Sequence, residues 1–254
     1  MKKNKHKNIL LTGGTGQLGL AIINSGLFPL ILAPSRQTLD ITKPETIEKY
    51  FNEHEIGAVV NCVALARIAE CEASPMKAIE CNIIGTSALV MAVMNKERTT
   101  NTTIRFIHIS TDGVYPGVRG NYNERDVTIP YNTYGWTKLG SECVVNLLSD
   151  FCVVRTSFFD SKNIRFDSSA TDIFSSKVPI NYLTKAIALL LESDFVGTVN
   201  IGSEKKSDYD RFKEFKSSLK PCMSKDILKD LHFKIASDSS LDSSLWKKIE
   251  QNEE

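Results

Sequence analysis

Residues 8–19 read Asn-Ile-Leu-Leu-Thr-Gly-Gly-Thr-Gly-Gln-Leu-Gly. A short apolar run ends in glycines at positions 13, 16 and 19, and a second apolar stretch follows directly. In such a turn one glycine permits unusual backbone angles, one lets the backbone approach a pyrophosphate, and one lets the helix pack closely. The N–H groups that begin the helix favour negative charge. A tight turn without a ligand has the same local pattern, but its place between the first strand and the first helix favours a dinucleotide site.

Apolar strands and amphipathic helices alternate outward from this turn. Strands are predicted over residues 8–12, 28–33, 57–63, 104–110 and 151–156, and helices over 18–27, 43–54, 74–96 and 131–148. Nearly continuous apolar strands between helices are typical of a parallel sheet covered on both faces. We therefore predict an α/β fold with a Rossmann-like, doubly wound parallel sheet.

The predicted dinucleotide-binding domain covers residues 1–157, and a small, shortened C-terminal lobe covers residues 158–254. In the lobe, residues 179–201 contain a helix and a strand that are expected to return to the core of the first domain. A helix is predicted at 208–219, and a Ser/Asp/Lys-rich tail follows it.

The composition is that of an ordinary globular protein. Of 254 residues 42% are hydrophobic. The net charge of +1 does not indicate the excess of basic residues that binds nucleic acid. No apolar run reaches the roughly 18 residues of a membrane span. The basic start, Met1–Asn8, is predicted to be a short solvated tail and not a secretory signal. The scattered cysteines are interpreted as buried small hydrophobes, and no histidines have metal-ligand spacing. We expect a cytoplasmic protein without a metal site.

The end of the second predicted strand bears on the choice of cofactor. It reads Ala33-Pro34-Ser35-Arg36, without the acidic residue that usually binds an adenosine ribose. NADP(H) is therefore favoured over NAD(H), with Ser35 and Arg36 on the extra phosphate. The alternative is that Arg36 is a solvated surface residue. Asp40 and Ile41 lie where a loop would pass the adenine.

A tyrosine and a lysine stand four residues apart, at Tyr134 and Lys138. On a helix these positions share a face. A free tyrosine, with a pKa of about 10, is a poor acid–base group at neutral pH. A lysine ammonium beside it, helped by the positive charge of a nicotinamide ring, favours the phenolate and brings the group toward its working range. The pair is the predicted catalytic centre.

Two hydroxyl residues, Ser110 and Thr111, close the fourth predicted strand. Because strand carboxyl ends line the ligand crevice of a parallel sheet, we expect them at the same edge as the glycine turn. Asn82, in the long predicted helix, is a further catalytic candidate that could hold a water near Lys138. A helix-face asparagine without a function is the alternative. The turn and the strand ends supply the remaining candidate cofactor contacts: Thr15, Gln17, Leu18, Cys62, Val63, Ala64 and Thr156.

The order of these motifs resembles that of the extended short-chain dehydrogenases, with most similarity to dTDP-4-dehydrorhamnose reductase-like proteins. The resemblance is carried by the glycine turn, Val59–Ala64, Ser110–Tyr115, the Tyr134/Lys138 pair and Val154–Ser157. Two further segments resemble that group, namely 39–42 and 240–245.

The resemblance implies an oxidoreductase of polysaccharide biosynthesis that reduces a keto group on a nucleotide-linked sugar of the 4-keto-6-deoxy type. Tyr134 would give its proton to the alkoxide, and Lys138 would hold the nicotinamide ribose and lower the pKa of Tyr134. Thr111 would hydrogen-bond the substrate oxygen. A homodimer through the two long helices is the family-level expectation.

Three departures from the family pattern keep alternatives open. Asp112 is followed by Gly113 and not by a second acid, which disfavours the related dehydratases. Ala69-Glu70 stands where the reductases often carry Asp-Lys. Residues 158–178 are short and polar, so the substrate site is expected to be small, different or absent. A cofactor-binding regulatory subunit without turnover and a sugar-nucleotide epimerase are the competing interpretations.

Overall fold

The computed structural model describes residues 8–229 and 233–253. The helices are α1 (Gln17–Ser25), α2 (Pro44–Glu53), α3 (Ile68–Ala73), α4 (Pro75–Thr100), α5 (Thr133–Val145), α6 (Ile180–Glu192), α7 (Asp208–Lys213), α8 (Ser224–Leu228) and α9 (Ser244–Glu253). The strands are β1 (Asn8–Thr12), β2 (Ile31–Leu32), β3 (Ile56–Asn61), β4 (Arg105–Ile109), β5 (Phe151–Thr156), β6 (Phe158–Phe159), β7 (Ser168–Ala170), β8 (Phe174–Ser175), β9 (Val178–Pro179), β10 (Gly197–Ile201), β11 (Lys206–Ser207) and β12 (Lys220–Cys222). The predicted tail at the N-terminus lies outside the described residues, except for Asn8.

Six parallel strands form the central sheet in the order β2–β1–β3–β4–β5–β10. The chain runs from β1 outward to β2 and then returns past β1 to add β3 on the other side. The boundary between β1 and β3 is therefore the topological switch point, where doubly wound sheets bind ligands. This architecture confirms the predicted α/β, Rossmann-like fold class.

Neighbouring residues of each central strand serve opposite faces of the sheet. Leu10 packs into one core and Leu11 into the other, and Val59 and Val60 divide in the same way. This alternation follows from the two-residue period of a strand. One core lies under α2, α4 and α5, and the second lies under α1, α6 and α9.

The lobe after residue 157 is built from three pairs of short strands. β6 pairs with β9 and β7 with β12, both in parallel, and β8 pairs with β11 in antiparallel. Residues 180–201 contribute α6 and β10 to the central fold. The domain boundary at residue 157 stays a prediction.

Several predicted elements differ from the structure. β2 has two residues where six were expected, because Pro29 has no N–H to donate to a ladder. The predicted polar tail is wrong in part: β12, α8 and α9 occupy it, and Trp246 of α9 is 1% exposed. Only two of the six cysteines, Cys71 and Cys152, are fully buried, and Cys143 is exposed.

The helix α4 is longer than predicted and contains a π-helical turn at Ile79–Ile84. The length and composition of α4 would by themselves allow it to cross a membrane. The apolar runs of the sequence had predicted no membrane-spanning helix. However, it carries Leu89, Val90 and Val93 into the core against the sheet, each no more than 2% exposed. The apolar composition of α4 is thus that of a core helix.

Candidate active site

A cavity of about 410 Å³ opens at the carboxyl edge of the sheet, at the β1/β3 switch point. The glycine turn, the ends of β3, β4 and β5 and the start of α5 form its walls. The predicted site residues that line the cavity are Gly13, Gly16, Gln17, Leu18, Gly19, Cys62, Ala64, Ser110, Thr111, Tyr134 and Thr156. The structure thus brings the nucleotide motif and part of the predicted catalytic group into one space.

The glycine turn lies too close to its surroundings for larger side chains. Gly13 has a φ of +77°, and a Cβ there would stand 2.9 Å from the carbonyl carbon of Cys62 and the nitrogen of Val63. A Cβ at Gly19 would stand 2.2 Å from the Gly13 oxygen. No side chain caps the start of α1. The first N–H groups of α1 are therefore available to an anion in the cavity.

Tyr134 lies in the first turn of α5, where the side chain of Asn132 caps the helix by accepting the Gly135 N–H at 2.8 Å. The Tyr134 hydroxyl faces Thr111, whose side chain lines the same cavity. Burial and the charge of Asp112 raise the pKa of Tyr134. The phenol is accordingly held in its protonated form, which suits a proton donor.

Thr111 links this phenol to a buried carboxyl group. Its hydroxyl accepts the Gly113 N–H at 3.0 Å and donates to Asp112 Oδ1 at 3.1 Å. Ser239 donates to the other oxygen of Asp112 at 2.7 Å, and burial raises the pKa of Asp112. A chain of hydroxyl and carboxyl groups therefore lines the wall of the cavity beside Tyr134.

Lys138 does not line the cavity and is 1% exposed. Its Nζ lies 3.0 Å from His108 Nε2, and burial lowers the pKa of Lys138 to about 8. The predicted effect of Lys138 on the phenol differs from the structure, in which burial and Asp112 dominate the pKa of Tyr134 and raise it. The reason is that the lysine side chain extends toward β4, behind the cavity wall.

Asn82 also differs in its contacts from the prediction. It lies in the π-helical turn, and its Oδ1 accepts the Leu65 N–H at 2.7 Å. Its Nδ2 donates to the Leu65 carbonyl at 3.1 Å and to Thr137 Oγ1 at 2.8 Å. The amide therefore fastens the loop after β3 to α5, and its predicted part in holding a water near Lys138 stays a prediction.

The predicted adenosine end lies outside this cavity. Arg36 is largely exposed, and its Nε donates to Asp40 Oδ2 at 2.9 Å. Ser35 Oγ lies 3.3 Å from Thr38 Oγ1. Ile41 is buried in the core under α2, so its side chain is a packing residue. Two other predicted contacts, Thr15 and Val63, do not line the cavity either.

A buried polar network behind the cavity was missed by the sequence analysis. Ser110 donates to Glu142 at 2.5 Å, and Arg155 donates to the same carboxylate at 2.7 Å. Arg155 also donates to the Tyr115 hydroxyl at 2.8 Å. Two signals could have indicated the network: Arg155 interrupts an apolar strand, and Glu142 stands one helical turn after Lys138.

Among residues 8–229 and 233–253, no group of three or more His, Cys, Asp or Glu side chains could hold a metal ion. A second cavity, of about 460 Å³, lies between the end of β10 and α9. Val178, Tyr182, Leu241 and Lys247 are among its lining residues, and none of the predicted site residues is.

Residues 7–171 match the family described as RmlD substrate binding domain. The chain belongs to this family. A relative, the dTDP-4-keto-6-deoxy-D-glucose reductase of Streptomyces niveus, is 37% identical over 154 residues, which are 59% of this chain and 51% of that protein. The beta subunit of rat (Rattus norvegicus) methionine adenosyltransferase 2 is 25% identical over 182 residues, 68% of this chain and 53% of that protein.

The fold of this RmlD family member is also that of solved structures. A dTDP-4-dehydrorhamnose reductase from Clostridium acetobutylicum superimposes with a TM-score of 0.84 at 24% identity and covers 96% of this chain and 97% of that one. At this identity the likeness establishes the fold. The chain spans about half the length of the curated relatives that it matches.

Proposed function

We propose that the protein is an NADPH-dependent reductase of a keto group on a nucleotide-linked sugar of the 4-keto-6-deoxy type. One observation carries this proposal. The glycine turn, Thr111 and Tyr134 line a single cavity at the switch point of the sheet. Membership of the RmlD family and the similarity to a named keto-sugar reductase support the substrate class.

In this proposal the bound dinucleotide supplies the hydride that reduces the substrate carbonyl carbon. The N–H groups at the start of α1 bind the pyrophosphate. Thr111 turns its one hydroxyl proton from Asp112 to the substrate oxygen and so orients the carbonyl. Tyr134 then gives its phenolic proton to that oxygen as negative charge develops there, which is general acid catalysis. The raised pKa of Tyr134 keeps this proton available at neutral pH.

We propose Ser35 and Arg36 as the contacts of the 2′-phosphate, and NADH as the less favoured cofactor. Arg36 is paired with Asp40, so the guanidinium must exchange a carboxylate for the phosphate. The Arg36 side chain is 80% exposed, and Asp40 keeps its hydrogen bonds from Thr42, so this exchange costs little. Arg36→Ala should therefore weaken NADPH binding much more than NADH binding. Equal losses for both cofactors in fluorescence titrations would contradict the assignment.

The decisive experiment follows NADPH oxidation against a panel of nucleotide-linked 4-keto sugars, with the wild type and Tyr134→Phe. We expect turnover by the wild type and a loss of about 100-fold or more in kcat for the variant, at unchanged NADPH affinity. Wild-type turnover that Tyr134→Phe does not impair would overturn the role of Tyr134.

A cofactor-binding regulatory subunit is the second candidate, and one observation favours it. Among the described residues, Phe158 alone represents the lobe in the lining of the cavity, so the lobe contributes little to the proposed substrate space. A relative of this chain is itself named as a subunit of another enzyme. Tight NADPH binding without turnover on any member of the panel would support this role over that of a reductase.

We further propose a soluble, cytoplasmic homodimer formed through α4 and α5. Both helices expose large apolar side chains, including Met76, Met91 and Trp136, at 78%, 55% and 54%. Sedimentation should give twice the chain mass of 28.3 kDa, and Trp136→Glu should give monomers. Val118→Glu, at an equally open position on a loop, is the matched control. A wild-type chain that sediments as a monomer contradicts the dimer.

A further inference from the structure

Gly113 follows Thr111 and Asp112 in the wall of the candidate cavity, and the fold does not require a glycine there. Its φ is not in the left-handed region. A Cβ would stand 3.4 Å from Thr111 Oγ1 and 3.8 Å from the Tyr131 hydroxyl, which are ordinary van der Waals contacts. Because glycine loses more conformational freedom on folding than any other residue, its presence at this position needs another reason.

Two glycines near Gly113 are, by contrast, required by the fold. Gly117 has a φ of +73°, and a Cβ there would stand 2.8 Å from Tyr131 Cε1. A Cβ at Gly135, in the first turn of α5, would stand 2.3 Å from the Gly113 carbonyl oxygen. Gly117 thus makes room for the ring of Tyr131, and Gly135 lets α5 approach the loop after β4. Gly113 has neither constraint, so what it provides is open space in the cavity.

The surroundings of this space are mostly polar. The nearest atoms to a Cβ at Gly113 belong to the side chains of Thr111 and Tyr131, and both residues line the cavity, as Asp112 does. Burial and the charge of Asp112 raise the pKa of Tyr131, so its hydroxyl keeps its proton. The backbone of Ala236, which also faces this hydroxyl, lowers the pKa as an N–H donor does and leaves the phenolic proton available.

The substrate group that would occupy this space follows from the position of Thr111. In the proposed reaction Thr111 binds the carbonyl oxygen, so the space in front of Gly113 adjoins a carbon next to that carbonyl. In a 4-keto-6-deoxy sugar, one of these two carbons carries a hydroxyl and the other a methyl group. Tyr131 favours the hydroxyl, because a methyl group would leave the phenolic proton without an acceptor in a partly buried place.

We propose that the space beside Gly113 is a subsite for the hydroxyl group next to the substrate carbonyl, and that Tyr131 donates a hydrogen bond to that hydroxyl. Both residues then determine specificity, Tyr131 by its proton and Gly113 by the side chain that it lacks. The subsite rests on the proposed function, since Thr111 has to hold the carbonyl oxygen. It adds the requirement that the substrate carry a hydroxyl at carbon 3.

The first test compares the thermal denaturation of Gly113→Ala and Gly135→Ala without any ligand. We expect the melting temperature of Gly113→Ala to equal or exceed that of the wild type, because the new Cβ fits and the unfolded chain loses freedom. Gly135→Ala should melt well below the wild type, since its Cβ meets backbone. A melting temperature of Gly113→Ala below that of the wild type would show that the fold needs this glycine and would overturn the proposal.

The second test is calorimetric titration of the protein saturated with NADP⁺, which has no hydride to give, so that sugars bind without turnover. The probes are dTDP-linked 4-keto-6-deoxyglucose, its 3-deoxy analogue and an analogue without the methyl group. We expect the wild type to bind the parent sugar about tenfold more tightly than the 3-deoxy analogue, the worth of one hydrogen bond. A wild type without this preference overturns the proposal.

Tyr131→Phe removes the donor and Gly113→Ala fills the space, so in both variants the preference should fall toward one. The effect of the methyl group should stay as in the wild type. A preference for the 3-hydroxyl that survives in either variant overturns the proposal, and so does a Gly113→Ala variant that loses the effect of the methyl group instead. Tyr209→Phe, on α7 and outside the cavity lining, is the control and should keep the wild-type ratio.

The two proposals fail in different ways. Absence of NADPH oxidation on every sugar would count against the proposed reductase. The affinity ratios are measured with NADP⁺ and the melting temperatures without ligand, so both would still decide whether the subsite exists.

Discussion

At the scale of single residues, one glycine of the glycine turn and one that follows α1 offer a matched pair of substitutions. Gly13 and Gly26 both have a positive φ, but a Cβ at Gly26 meets nothing within 4 Å, whereas one at Gly13 meets the end of β3. Gly26→Ala should cost about 1–2 kcal/mol from backbone strain alone. Gly13→Ala should cost more and abolish dinucleotide binding. Urea denaturation measures the loss of stability, and titration measures cofactor binding. Equal losses of stability in the two variants would contradict the close approach of Gly13 to the end of β3.

Lys138 gives a prediction for pH. Its folded pKa of about 8 lies below its ordinary value of 10.5, so between these values the unfolded chain holds a proton that the folded chain lacks. Stability rises with pH wherever the unfolded state binds more protons. The free energy of unfolding of the wild type, relative to Lys138→Met, should therefore rise by about 3 kcal/mol between pH 8 and 10.5. A flat difference would show that folding does not lower the pKa of Lys138.

The positions predicted for single residues agree with the structure where one local pattern fixes the geometry. The glycine turn lies beside its own strand and helix, so its place at the cavity follows from its spacing. Lys138 is different, because its partner, His108, comes from β4 and meets it only when α5 packs on the sheet. Spacing on one helix could indicate a shared face for Tyr134 and Lys138, but it could not show which neighbour each side chain reaches.

At the scale of elements, the π-helical turn of α4 places Asn82 where its amide bonds Leu65 and Thr137. Asn82→Ala would leave the half-buried N–H of Leu65 without its partner, at a cost of about 1–3 kcal/mol. Cofactor affinity should fall as well, since the loop after β3 borders the cavity. Ser87→Ala, which removes a bond within the same helix, is the control. Equal stability losses in the two variants would contradict the fastening role.

The elements that sequence failed to predict are those whose stability comes from tertiary contacts. α9 has few apolar residues, and Trp246 and Ile249 are stabilised by the core they complete. β2 is an edge strand of two residues, so its limits depend on how far β1 can pair with it. Long apolar strands such as β5 can be recognised from their own sequence, and β5 was predicted at the residues where the structure has it.

At the scale of the whole molecule, α9 closes the second core. Trp246 is 1% exposed, packs against α6 and donates to the Tyr182 hydroxyl at 2.8 Å. Trp246→Ala should lower the free energy of unfolding by about 3–5 kcal/mol. Val118→Ala, at a position 70% exposed and outside the proposed dimer face, removes an apolar side chain from the surface and should cost far less. Chemical denaturation compares the two, and similar losses would contradict the importance of α9.

The overall topology could be predicted because strand–helix alternation allows few arrangements of a parallel sheet. The lobe could not, since β7 pairs with β12 across about fifty residues of sequence and each strand has only three residues. Such short strands have no periodicity of their own to detect.

The position of Trp246 also matters while the protein is being made. The core under α2, α4 and α5 uses residues 10–153, whereas the core under α1, α6 and α9 stays open until residues 246–249 have left the ribosome. During synthesis, residues of β10 such as Val199 and Ile201 therefore have an apolar side that α9 does not yet cover, and chaperones that bind exposed apolar surface have their longest opportunity there.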